Sequence, residues 1–206
     1  MGIFEASVIA IGIVGGISNL LMFLALANSK ARKTEMAIVF NQMILDCVCC
    51  LQLVITYIVK ILQVDYSDNS LTLLCKTLEG ETMLWFFLGC STANLIVLTL
   101  ERYVKIVHAV FHKRHFRRWM YFVAIALTWV NFDAIFSFVI SSSSAVVLSG
   151  QCVSFGKMPD GINAKAFAIY KFLDNFCLPL VTFVFCYTRI LQVTSKRIVP
   201  GTCHNV

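Results

Sequence analysis

Residues 98–107 read Leu98-Thr99-Leu100-Glu101-Arg102-Tyr103-Val104-Lys105-Ile106-Val107, and they close the third of five long apolar stretches. A charged pair at the end of a hydrophobic helix lies at a membrane edge. There it can meet a cytosolic partner or lock to a neighbouring helix. Composition supports the membrane setting. The 206 residues are 59% apolar and 14% charged, with a mean hydropathy of +0.81. Soluble domains are roughly 45–50% apolar and about 25% charged. The net charge of +6 does not indicate a nucleic-acid partner, because the basic residues are confined to short connections between apolar runs. No nucleophile–base pair or cofactor loop supports an enzyme.

Five spans are expected, over residues 4–27, 36–62, 73–107, 119–140 and 166–193, with 197–206 a short cytosolic tail. Each is long enough for a hydrocarbon core that needs about 20 helical residues, and far longer than the roughly 9–11 of a barrel strand. The fold class is therefore an all-α polytopic membrane bundle, built as a single transmembrane domain in contact with lipid. The first span has no basic leader, only Glu5, so it reads as a retained helix rather than a cleaved signal. Lys30, Arg32 and Lys33 follow span one, and Lys105, Lys113, Arg114, Arg117 and Arg118 follow span three. Arg189, Lys196 and Arg197 follow span five. The alternate connections carry Asp65, Asp68, Glu79 and Glu81, or Asp160 with Lys157 and Lys165. Positive charge inside places the N-terminus outside, at the plasma membrane, and the C-terminus in the cytosol.

Polar residues inside the spans carry the next inference. Asp46 lies ten residues into span two from Met36. Ser91 lies eleven residues before Arg102, and Asn19 nine before Asn28. At 1.5 Å per residue all three sit about 14–16 Å deep. A bilayer carboxylate costs about 2.5–3.5 kcal/mol and should face the bundle. A common network around Asp46 is expected, able to hold a sodium ion or a proton. The alternative is three polar groups satisfied locally.

These residues carry a resemblance. Gly16-Ile17-Ser18-Asn19, the Asn41 and Asp46 pair, Glu101-Arg102-Tyr103, Trp129, and Pro179 with Tyr187 stand in order, one set per span. Together they resemble the signatures of rhodopsin-like (class A) G-protein-coupled receptors over essentially all of residues 4–193. The resemblance implies an extracellular ligand and a heterotrimeric G protein as partners. It implies that Arg102, with Glu101 and Tyr103, contacts the G protein or holds the inactive state, and that Tyr187 meets Arg102 on activation. Asp46 and Ser91 would belong to a sodium pocket. Asn41 and Trp129 would serve helix packing, and Pro179 would distort helix five, since it removes a backbone donor. Cys75 and Cys152 would be bridged; both fall in outer segments, where oxidation is expected. Cys75 lies two positions further from Arg102 than is usual in the family, which implies a different turn at the top of that helix.

The amine-receptor carboxylate is replaced by Leu84, next to Trp85. That disfavours an amine, and an outer loop long enough for a hairpin around Cys152 favours a peptide. Leu84, Trp85 and Leu88 are candidate pocket residues. Asp133 and Asp174 each lie fifteen residues from a cytosolic basic end, about 22 Å up. Unpaired, they would favour a cationic ligand; otherwise they snorkel or bond to a neighbouring helix. His108, His112 and His115 read as a solvated cationic face, and Cys47, Cys49 and Cys50 as small hydrophobes. Ala109 stands where relatives often have Pro, and no Asn-x-Ser/Thr sequon occurs. Cys203-His204-Asn205-Val206 has the length of a prenylation box, but its middle residues are polar. Helices six and seven of the family fall outside the 206 residues, so a truncated receptor is expected. A non-signalling form that dimerises with full-length receptor is the alternative. A small transporter or channel would call for internal repeats, and none is visible.

Overall fold

The computed structural model describes residues 2–28, 36–62, 64–66 and 72–198. Lys30, Arg32, Lys33, Asp68 and the stretch around Cys203 lie outside the described residues. Five helical spans run over Ile3–Ala27, Ala37–Leu62, Thr72–Val107, Arg118–Ser144 and Ala164–Ser195. Many of their large apolar side chains are exposed, among them Leu21, Leu51, Phe122, Val181 and Leu191. That is the exposure expected where the surrounding solvent is hydrocarbon.

The first two spans are the continuous helices α1 (Ile3–Ala27) and α2 (Ala37–Leu62). They pack on a glycine face. A Cβ on Gly12 would lie 2.7 Å from the Val54 side chain, and one on Gly15 would lie 2.9 Å from Cys50 Sγ. Small residues at such positions let bilayer helices approach closely. The Cys47 thiol donates to Gly16 O at 3.8 Å across the same seam, and Cys47, Cys49 and Cys50 are free thiols.

The remaining three spans are each interrupted. Span three opens with the single turn α3 (Thr72–Leu74) and a π-helical turn over Cys75–Glu79. Glu81 then takes a left-handed conformation at φ 60°, and α4 (Thr82–Val107) follows. The π turn and this kink take up the two extra residues between Cys75 and Arg102. Gly80 is required at the kink, because a Cβ would lie 2.6 Å from Lys76 O and 2.8 Å from the Ala145 side chain.

A short helix α5 (Ala109–His115) runs from the end of α4 to span four. Span four divides into α6 (Arg118–Trp129) and α7 (Phe132–Ser144), so it extends past the expected end at 140. Asn131 causes the break. Its side chain accepts from Ala134 N (2.9 Å), capping α7, and donates to Thr128 O (2.6 Å), closing α6. Span five divides into α8 (Ala164–Phe172), a π-helical turn over Leu173–Cys177, and α9 (Leu178–Ile198). Pro179 has no N–H for the Asn175 carbonyl one turn earlier, and the wide turn falls where that bond is lost.

Strands β1 (Val146–Leu148) and β2 (Gln151–Val153) form a hairpin between α7 and α8. Its two turn residues, Ser149 (φ 52°) and Gly150 (φ 80°), both have positive φ, as a tight two-residue hairpin turn requires. Tyr66 N donates to Gly150 O at 2.8 Å, tying the α2–α3 connection to this hairpin. The compact core lies where α2, α4 and α7 meet, around Leu45, Cys90 and Ala134, with Phe86, Phe87 and Trp129 against it.

Candidate functional site

Functional side chains fall at three heights. At the C-terminal end of α4, Glu101 is buried and does not pair with its neighbour Arg102. Its Oε1 is approached by Tyr121 OH (3.4 Å), His112 Nε2 (3.5 Å) and Lys105 Nζ (4.0 Å). The His112 ring stacks on Phe116, with centroids 4.5 Å apart. His112 is therefore largely buried between α5 and α6, which corrects its reading as part of a solvated face; His108 and His115 are exposed. Arg102 points out, and among the described residues it makes no hydrogen bond or ion pair. Tyr103 packs on Phe185 (5.9 Å) and His108 (5.6 Å). Tyr187 is exposed and is not joined to Arg102 in this conformation.

At mid-membrane, one hydrogen-bonded chain links α6, α2 and α4. Trp129 Nε1 donates to Asn41 Oδ1 (3.0 Å), and Asn41 Nδ2 donates to Asn94 Oδ1 (2.9 Å). Asn94 Nδ2 donates to Gln42 Oε1 (2.8 Å) and Ile38 O (3.1 Å). Gln42 Nε2 reaches Asp46 Oδ1 (2.8 Å) and Ser91 Oγ (2.7 Å), and Ser91 Oγ donates to Asp46 Oδ1 (2.6 Å). Asp46 and Ser91 thus share a network, but Asn19 does not. Its amide donates to Gly15 O in its own helix (3.0 Å). Equal depth sets height alone, and 3.6 residues per turn decide which face is presented. Gln42 and Asn94, both buried, are members that residue-by-residue reading passed over.

At the hairpin end a cavity of about 480 Å³ opens among α4, the segment after β2, α8 and the π turn of span five. Trp85, Leu88, Phe155, Phe167, Phe172 and Lys171 are among its lining residues. Leu84 is not among them. Lys171 is 5% exposed, and its Nζ reaches Asp133 Oδ1 (2.7 Å), Asp133 Oδ2 (2.8 Å) and Ser137 Oγ (2.8 Å). Tyr170 OH adds a bond to Asp133 Oδ1 (3.1 Å). Asp133 is therefore paired, which corrects its expectation as an open anionic site. Asp174 is half-buried and outside the cavity lining. The signal for this pairing was in the sequence, since Lys171 is itself a charge inside span five and requires a partner. Thr92 Oγ1 donates to Asn175 Oδ1 (3.3 Å), tying α4 to the π turn just below.

Cys75 and Cys152 are bridged, fixing the top of span three to the hairpin. Ser154 Oγ also donates to Glu79 O (2.6 Å) on that seam, and Trp85 meets Phe155 edge-on at 6.3 Å. The bridge thereby sets the outer wall of the cavity.

The described helices thus carry a cavity at the hairpin end, a polar tie at mid-depth and a charged end at the foot of α4. The family model of the seven-transmembrane receptor (rhodopsin family) matches residues 18–203, and the chain belongs to that family. It is a multi-pass membrane protein. It is similar to rhodopsin of Gambusia affinis, 31% identical over 124 residues, which cover 58% of this chain and 32% of that protein. Rhodopsin of Zosterisessor ophiocephalus is 32% identical over 124 residues, covering 58% of this chain and 33% of its own length. The matched stretch spans about a third of these relatives.

Proposed function

We propose that these residues carry an extracellular signal, through the outer cavity, to a heterotrimeric G protein at the cytosolic ends of α4 and α9. The observation that supports this reading is the separation of Glu101 from Arg102. The carboxylate is held by α5 and α6, leaving the guanidinium facing the cytosolic side, where it can donate to a partner's carbonyls or carboxylates. The test is nucleotide exchange on purified heterotrimeric G proteins by membranes bearing the whole protein that contains these residues. Arg102→Ala is expected to lower exchange at least tenfold, about 1.4 kcal/mol. Exchange unaltered by Arg102→Ala, at equal surface expression, overturns the role.

The ligand we favour is a peptide that inserts a neutral apolar side chain. The cavity has a ligand-sized volume and aromatic walls. Its charged group, Lys171, is satisfied within the protein by Asp133 and Ser137. A cationic side chain would find no free carboxylate among those lining residues.

The N-terminus-outside orientation is checked by cysteine labelling of intact cells. A membrane-impermeant maleimide should label Pro159→Cys above the background of the unmodified chain. It should leave Arg114→Cys at background until the cells are permeabilised. Labelling of Arg114→Cys in intact cells reverses the topology.

A further inference from the structure

The resemblance implies a sodium ion at Asp46 and Ser91, and the donor set around that pair argues otherwise. The indole nitrogen of Trp129 can only donate. Because it donates to Asn41, the Asn41 oxygen must face the indole and the Asn41 amide nitrogen must face Asn94. The Asn94 oxygen accepts that bond, which turns the Asn94 nitrogen towards Gln42. The carbonyl of Ile38 supplies an independent check. It can only accept, and the Asn94 nitrogen points to it as well. The Gln42 oxygen is thereby committed to Asn94, and its NH₂ group has one direction left, towards Asp46 Oδ1 and Ser91 Oγ. Side-chain amide orientations are assigned from such networks, and here two one-way groups at separate points impose the same one. Reversing any amide in the chain would set donor against donor or acceptor against acceptor in a buried setting, where an unmade bond is costly.

A hard cation is held by oxygen lone pairs converging on it. At this site the lone pairs of Asp46 Oδ1 and Ser91 Oγ converge on two amide hydrogens instead. Ser91 spends its own hydrogen on Asp46. Gln42 is buried, and turning its amide away breaks three hydrogen bonds at once. We infer that Gln42 closes the Asp46–Ser91 site to sodium, its amide group occupying the place of the cation and making the mid-membrane tie sodium-independent. Regulation by sodium through this carboxylate is then replaced by a fixed polar bolt between α2, α4 and α6.

The test is thermal unfolding of the purified full chain in lipid nanodiscs, followed with a thiol-reactive fluorophore that reports exposure of Cys90 and Cys186, both buried. Sodium chloride is compared with N-methylglucamine chloride at equal ionic strength. The wild-type midpoint is expected to be the same in both. Gln42→Met keeps a similar length but removes both the oxygen and the nitrogen of the amide. Sodium should raise its midpoint by about 2–4 °C, the shift that modest ligand stabilisation gives a chain of this size. Gln42→Glu supplies a second carboxylate and should respond at least as strongly, which protects the test if the Met variant folds poorly. Adding Asp46→Asn to either variant should abolish the response. A sodium-raised wild-type midpoint overturns the inference. So does a cooperative melt in both Gln42 variants with no sodium response. The readout uses neither ligand nor G protein, so its failure leaves the receptor reading untouched.

Discussion

Cys152→Ser is expected to cost the folded chain about 4–5 kcal/mol, the loop-closure value for a bridge of this span. The two cysteines are 77 residues apart in sequence. Cutting the bridge releases the whole of α4, α5, α6 and α7 as one long loop in the unfolded ensemble. The folded state loses definition too. Span three begins with a π turn and a left-handed residue rather than a continuous helix, and without the bridge Cys75–Glu79 would be held to its neighbours by the Thr56 Oγ1–Leu78 O (3.2 Å) and Ser154 Oγ–Glu79 O (2.6 Å) bonds. Unfolding free energy in mixed detergent, compared for Cys152→Ser, Cys75→Ser and the double variant, is the measurement. All three should fall by the same amount, because one bond is removed in each. Cys47→Ser, a free thiol in α2, should change stability by less than about 1 kcal/mol. Equal small losses across all four variants would refute the constraint. The same variants should weaken ligand binding, since Phe155, three residues past the bridge, lines the cavity with Trp85.

Composition and spacing made the helical spans legible because a bilayer imposes a nearly one-dimensional rule: enough apolar residues in a row must cross. Interruptions inside spans obey local rules that hydropathy does not register. Asn131 breaks span four by bonding backbone on both sides of itself, and in an apolar run it reads as one tolerated polar residue. The two-residue displacement of Cys75 was visible, but only coordinates show it absorbed by a π turn and Glu81. Pro179 announced its distortion, since a missing donor is written in the residue itself. The polar interior was legible in depth and not in direction. Asp46 and Ser91 meet, whereas Asn19, at the same height, faces Gly15 in its own helix. Gln42 carries no charge, but it stands four residues before Asp46, and that one-turn spacing is the sequence signal that puts it beside the carboxylate. Lys171 was the legible signal left unused. A lysine inside an apolar span demands an anion, and of Asp133 and Asp174, equal in height, the structure pairs it with Asp133.

Lys171→Met should destabilise the chain by about 3–5 kcal/mol, because it leaves the Asp133 carboxylate buried without its cation. The ammonium spends its three hydrogens on Asp133 Oδ1, Asp133 Oδ2 and Ser137 Oγ, joining α7 to α8 behind the cavity wall. The groups left beside that carboxylate, Tyr170 OH and the Asp174 carboxyl, carry no positive charge to replace the ammonium. Asp133→Leu should cost a similar amount by stranding the ammonium, which lies 5.7 Å from the Trp85 ring. The double variant is the informative one. Removing both charges abolishes both desolvation costs, and apolar replacements of buried pairs are often neutral or better. Lys171→Met/Asp133→Leu is therefore expected to recover most of the loss, with a coupling of at least about 2 kcal/mol in the double-mutant cycle. Additive losses would mean that the two groups are stabilised separately and that the α7–α8 bolt is not an ion pair. The double variant also separates stability from recognition. It folds with an uncharged cavity wall, so a neutral apolar ligand group should bind it within about threefold of wild type, under 1 kcal/mol. A ligand that needs the lysine's charge would be lost, and the apolar-anchor reading with it.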